Sequence, residues 1–208
     1  LCEPLENLTI DVPQEFMGTV MESLGVRKGD LVNMVETAGY IRMEFVVPAR
    51  GLIGFRAQFL TATKGNGIMN HVCHGYAPYK GEIPGRTRGA LVAFETGETT
   101  PYGLNSVQDR GVLFLGPNVE VYAGQVIGEN ARELDMDVNP CKKKHVTNMR
   151  SSSSDEAVRL TPPRILSLEQ ALEWINDDEL VEVTPENIRI RKTILDKNAR
   201  AKAAKQAK

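Results

Sequence analysis

The stretch HVCH puts His71, Cys73 and His74 within four residues, side chains of the kind that hold zinc. On a strand, His71 and Cys73 share one face while His74 points to the other, and no second ligand pair lies nearby. The expected arrangement is a core cysteine with two histidines near a sheet rim, and no metal. Asp177 and Asp178 form an acidic pair at a helix end. Their place suits turn and solvation chemistry better than general acid–base work. GNGIMN, residues 65–70, begins like a dinucleotide fingerprint. It lacks the third glycine and runs from a helix into a strand, the reverse of the required order. No glycine in the chain is followed by lysine, which excludes the phosphate loop G-x-x-x-x-G-K-[ST]. There is no G-x-S-x-G elbow either. Without a nucleophile–base set, the chain by itself is not expected to be an enzyme.

Positive charge gathers in two places. NPCKKKHVTNMRSSSSDEAV, Asn139 to Val158, holds Lys142, Lys143, Lys144, His145, Asn148 and Arg150, four consecutive serines and little that is apolar. So little of it can be buried that Lys142 to Glu156 is expected to be the least ordered internal segment of the free chain. The second place is the end of the sequence. Residues 165–186 carry seven acids and no Lys or Arg, whereas residues 187–208 carry eight Lys/Arg against the single Asp196. On charge alone, two neighbouring surfaces that partly neutralise each other account for this. The competing reading is a basic strand face, with Arg189 and Arg191 on the same side, that meets phosphate.

The elements that must position these residues are legible from periodicity. A chain of 208 residues suggests one large or two small domains, and 41% hydrophobic with 25% charged residues can supply a core in each of two. A net charge of −2 excludes a polyanion binder acting through the whole surface and leaves only local clusters. Three well-separated cysteines, Cys2, Cys73 and Cys141, fit a reducing cytoplasm rather than a disulfide framework. No apolar run reaches about 18 residues, so no transmembrane helix is expected. The start has neither a basic segment nor an apolar signal core, and opens on a strand as a piece of a longer chain would.

Leu8, Ile10 and Val12 alternate as in a strand; Pro13 to Leu24 and Arg50 to Thr63 have helical spacing. Two strands joined near Gly39 lie between the helices, and a fourth follows them. The order strand, helix, strand, strand, helix, strand is the split βαβ of ferredoxin-like folds, with Phe16, Val20, Leu24, Leu52, Phe55 and Phe59 as core. KGEIPGRTRG then breaks the pattern, and the boundary is placed at 80/81. Residues 81–208 read as a small β-rich, barrel-like domain with one short helix at GLNSVQDRG, a basic loop at 142–156 and a basic tail, either frayed helix or disordered. Ser167 and Gln170 form a capping-box pair ahead of Leu168, Ala171, Leu172 and Ile175, and strands follow at ELVEVT and NIRIR. The fold class is α+β.

EPLENLTIDVPQEFMGTVMESLGVRKGD resembles the start of the last domain of elongation factor G, carried by Glu3, Pro4, Pro13, Glu15, Phe16, Met17, Gly18, Val20, Arg27, Lys28 and Gly29. VPARGLIGFRAQFLTATKGNG resembles its second helix, with the exit Thr63, Gly65 and Gly67. RGLIGFR narrows the resemblance to the BipA/TypA branch of translational GTPases. GLNSVQDRGVLFLGPNVEVYAGQVIGENAR, KKKHVTNMRSSSSDEAVRLTPP and LEQALEWINDDELVEVTPENIRIRK are similar to the domain peculiar to that branch. The resemblance implies the C-terminal part of a cytoplasmic, monomeric, ribosome-associated protein. GTP and magnesium would bind only in an N-terminal domain absent here. It implies large-subunit rRNA and the acceptor arm of an A-site tRNA as partners. The arm Lys142, Lys143, Lys144, His145, Asn148 and Arg150 would order on tRNA, and Arg50, Arg56, Lys64, Arg189 and Arg191 would meet the ribosome. The alternative is a regulatory ferredoxin-like module that binds a small ligand or metal; an enclosed pocket rather than a contiguous basic surface would mark it.

Overall fold

The computed structural model describes residues 1–143 and 159–206. The chain divides into two units, Leu1–Gly85 and Arg86–Lys208, later than the 80/81 boundary placed from the sequence.

In the first unit, β1 (Cys2–Pro13) buries Leu8, Ile10 and Val12 completely and turns the residues between them to the opposite face. Pro13 closes this strand and does not begin the helix expected there. Its φ of −55° and ψ of 147° are extended, and it pairs with Tyr40 at the end of the ladder. A 3-10 turn over Gln14–Phe16 then leads into α1 (Met17–Val26). β2 (Asp30–Thr37) and β3 (Tyr40–Pro48) form a hairpin whose turn residues, Ala38 and Gly39, have φ of 50° and 83°. Two positive φ values in a two-residue turn match the twist of the flanking strands.

The single helix expected over 50–63 is broken. Ala49–Leu52 is a 3-10 turn, Ile53 is extended, Gly54 has φ of 70°, and α2 runs over Phe55–Ala62. Arg27 supplies the physical reason: its guanidinium donates to the carbonyls of Gly51 at 2.8 Å and Ile53 at 3.1 Å, which a continuous helix would keep for its own N–H groups. Leu52 is consequently only partly buried, while Phe16, Val20, Leu24, Phe55 and Phe59 form the core with Met43, Phe45 and Val47. Gly67 passes so close to Phe59 that a Cβ there would lie 2.2 Å from the ring. β4 (Ile68–Pro78) completes an antiparallel sheet of order β2-β3-β1-β4, the ferredoxin-like arrangement.

The second unit contains β5 (Ala90–Ala93), β6 (Gly97–Glu98), α3 (Pro101–Gln108), β7 (Gly111–Leu113), β8 (Glu120–Val121), β9 (Gln125–Asn130) and β10 (Met136–Val138). Beyond residue 159 come α4 (Leu168–Trp174), β11 (Glu179–Val183), β12 (Ile188–Lys192) and α5 (Lys197–Gln206). The short helix expected at GLNSVQDRG forms as α3, the run after the capping-box pair Ser167 and Gln170 forms as α4 with that box in place, and of the two readings of the tail the helical one holds over 197–206.

The principal sheet has the order β10-β5-β9-β12-β11, with β7 also on β9, while β6 and β8 pair separately. Of the small barrel or curled sheet expected, the open form is the one observed, since the sheet does not close on itself. Every residue of β5 is buried: Leu91 and Ala93 pack with Leu104 and Val107 of α3, whereas Ala90 and Val92 pack with Ala171 and Trp174 of α4. Helices thus cover both faces of β5.

Candidate nucleic-acid interface

Thr100 opens α3 as an N-cap, its hydroxyl accepting from the Gly103 N–H at 2.9 Å with Pro101 next in the chain. The same hydroxyl donates to the Lys142 carbonyl at 2.6 Å, and the Thr100 N–H donates to the Pro140 carbonyl at 3.0 Å. Gly103 permits this approach, since a Cβ there would lie 2.1 Å from the Pro140 oxygen. At the far end of the helix, the Gln108 side chain donates to the Arg159 carbonyl at 3.1 Å and accepts from the Thr161 N–H at 3.0 Å. The residues on either side of 144–158 are therefore tied to the two ends of one helix, about 12 Å long at 1.5 Å per residue.

Lys142, Lys143 and Arg159 are exposed around this helix, and the Lys142 ammonium lies 5.9 Å from the centroid of the exposed Tyr102 ring. Beneath them, Asn139 donates to Glu95 at 2.5 Å. Burial, then the Glu95 carboxylate, pushes the Cys141 thiol above its ordinary range, and the side chain packs against the core beside α3. Exposed ammonium groups, a guanidinium and an aromatic face are the set that meets phosphate and stacks on a base. Lys144, His145, Asn148 and Arg150 lie outside the described residues. So does most of the segment expected to be least ordered.

The other sequence candidates are not brought together. Arg50 is committed within its own unit: it donates to Glu3 at 2.6 Å and to the Gly81 carbonyl at 2.5 Å, and stacks 4.6 Å from the Tyr79 ring centroid. Its hydrogen bond, then the Lys80 N–H, holds the Glu3 carboxyl below the usual range. Arg56 is exposed in the first turn of α2, and Lys64 follows the other end, 6.0 Å from the Phe16 ring. Arg189 and Arg191 do share a strand face. Arg191 lies 2.6 Å from Glu182, which also accepts from the Tyr122 hydroxyl at 2.5 Å and stands opposite Arg189 in the ladder. Burial and that carboxylate push the Tyr122 phenol well above its ordinary value. Much of the positive charge of β12 is thus met by the acids of β11.

Sequence reasoning missed the clamps Thr100 and Gln108; Thr-Pro before a helical run was the available signal for the first. It also missed a buried ionic cluster. Lys192 is 2% exposed and reaches Asp135 at 2.5 Å, Asp178 at 2.8 Å and Glu179 at 2.8 Å. Burial alone would lower its ammonium pKa; the three carboxylates more than offset this and raise it. Arg86 grips the fully buried Glu179 with two bonds of 2.6 Å and stacks 3.6 Å above the Trp174 ring. The signal was there: Lys192 occupies the next inward position after Ile188 and Ile190.

Cys73 is exposed, not in the core as expected, because β4 is an edge strand whose outer part no helix covers. His71 is paired with Glu6. Among the described residues no three His, Cys, Asp or Glu side chains are grouped to hold a metal. A shallow hollow on the first unit, lined by Asp11, Val35, Thr37, Tyr40 and Arg42, has its charges paired, Arg42 donating to Asp11 at 2.7 Å.

Residues 1–87 match the family model of the elongation factor G C-terminus, and residues 88–197 match that of the TypA/BipA C-terminal domain. The architecture is that of an elongation-factor-type last domain followed by a second, open-sheet domain. The chain belongs to the TypA/BipA family. It is 49% identical over 209 residues to the large ribosomal subunit assembly factor BipA of Bacillus subtilis (strain 168), covering 100% of this chain and 34% of that protein. The factor of the same name from Salmonella typhimurium is 50% identical over 203 residues, covering 97% and 33%. That from Synechocystis is 48% identical over 192 residues, covering 92% and 32%. The chain spans about a third of the length of the curated relatives it matches. No helix among the described residues is long and apolar enough to cross a membrane.

Proposed function

We propose that this chain is the RNA-binding C-terminal part of a cytoplasmic translational GTPase that acts in assembly of the large ribosomal subunit. Its partners are large-subunit rRNA and the acceptor arm of an A-site tRNA. GTP and magnesium belong to a domain outside this chain, so a fluorescent GTP analogue should not bind the purified chain saturably at micromolar concentration.

The observation that carries the reading is the anchoring of both flanks of the segment 144–158 on α3, with Lys142, Lys143, Arg159 and Tyr102 exposed around it. The hydrogen bonds on both flanks hold Lys142, Lys143 and Arg159 along one short helix. Lysines meet phosphates there as point charges, and counterion release makes the association salt-dependent.

Replacement of Lys142, Lys143 and Lys144 with Ala tests this. Binding of the full-length protein to ribosomes with an A-site tRNA should weaken, and the log–log salt slope should fall by roughly 0.7–0.9 per lost contact. Stability should barely change. Equal affinities and equal slopes would remove the tRNA part of the proposal.

A further inference from the structure

The face of the principal sheet beneath α4 carries a second surface whose chemistry is unlike the first. Val181 and Ile190 on this face pack with Ala171 and Trp174. Two residues further along the strands, on the same face, Val183 pairs with Ile188, and this pair is uncovered, at 60% and 39% exposure. The helix adds to it: Leu168 and Leu172, one turn apart, both face solvent. β11 is the edge strand of the sheet, so the rim beside this apolar area is unpaired.

The unpaired charge on α4 and the β11–β12 turn is acidic. Of the seven acids in 165–186, Asp178, Glu179 and Glu182 are bound to Lys192, Arg86 or Arg191. Glu169, Asp177 and Glu186 are exposed and have no ion pair among the described residues. Such a border repels phosphate, so nucleic acid is the wrong occupant. We propose that this face docks a lysine- or arginine-rich protein segment with apolar anchors, the anchors meeting Leu168, Leu172, Val183 and Ile188 and the cations meeting Glu169 and Glu186. The inference goes beyond the RNA reading and does not depend on it.

The test uses the 208-residue chain and synthetic peptides of leucine and lysine, one with leucines at helical spacing and one alternating, each with a leucine-and-glutamate control. Binding is followed by backbone amide NMR. At least one lysine peptide should bind saturably, with shifts confined to α4 and the β11–β12 hairpin, and the glutamate controls should not bind. Glu169→Lys with Glu186→Lys should weaken lysine-peptide binding about tenfold and confer binding of a glutamate peptide. Leu172→Ser should weaken binding with no change in melting temperature. Four outcomes would each overturn the proposal: no saturable binding, shifts elsewhere, indifference to the charge reversal, or preferential binding of an RNA duplex to this face. Self-association of the chain abolished by Leu172→Ser would also overturn it, by assigning the face to a second copy.

Discussion

Replacing Lys192 with Met should destabilise the second unit by about 3 kcal/mol, roughly a 150-fold loss in its folding constant. Breaking a buried ion pair by removing one partner costs about 3–5 kcal/mol, because the other charge stays behind in low dielectric. Here the three carboxylates are not equivalent. Asp135 and Asp178 are 42% and 59% exposed and can rehydrate, so little of the cost falls on them. Glu179 is 0% exposed and cannot. It keeps Arg86, which places the cost near the lower end of the range. Met retains most of the aliphatic stem, so packing beside Ile190 is little changed. Trp174 is the only tryptophan in the chain and lies against Arg86, so its fluorescence in a urea titration reports on this cluster. A Lys192→Met loss below about 1 kcal/mol would refute the view that Glu179 needs both cations.

In the first unit, Phe55→Ala should cost about 3–5 kcal/mol by calorimetry, since the ring is 1% exposed and packs 5.9 Å from Phe59; an unchanged melting temperature would mean the cavity collapses freely. The Glu3 carboxyl should titrate below 4.5 in carbon-detected NMR and move up toward it in Arg50→Gln. Because its folded pKa is depressed, the stability it contributes is present above the ordinary value and lost as pH falls through the folded one. Arg50→Gln should therefore flatten the acid limb of stability, and an unmoved midpoint would count against the pairing. Gly103→Ala should force α3 away from Pro140 and speed amide exchange at Thr100 N–H, at a stability cost of about 1–3 kcal/mol; unchanged exchange would show that the clamp on the arm is slack.

The ferredoxin-like unit was largely legible because its signals are local: strict alternation at Leu8, Ile10 and Val12, helical spacing at Phe16, Val20 and Leu24, and glycine at the hairpin. What was not legible there depended on a distant side chain. Nothing near Gly51 or Gly54 announces that Arg27 will capture two carbonyls and split the helix. In the second unit, β5 is only four residues long, and an apolar run of that length does not reveal that two helices will cover it from opposite sides. Of the candidate site, Lys142 and Lys143 could be read as an exposed basic start of a polar segment, but the two ends of α3 that hold its flanks could not. The charge asymmetry of 165–208 was visible, and the β11–β12 hairpin explains much of it, since Arg191 pairs with Glu182 and Lys192 with Asp178 and Glu179.

The buried ionic cluster has a consequence for synthesis. Arg86 stands at the very start of the second unit, while Glu179 and Lys192 arrive 93 and 106 residues later, on strands that complete the sheet beside β9. All contacts of the Leu1–Gly85 core can form as soon as that stretch has emerged from the tunnel. Until β11 and β12 emerge, Arg86 lacks its bidentate partner Glu179, with only Asp135 at 4.0 Å, and the Ile190 position beside Val126 is empty. The nascent second unit is then an incomplete sheet with an apolar face and an open edge at β9, waiting for its last two strands. Ribosomes stalled before residue 192 should carry a folded first unit and a protease-sensitive second one.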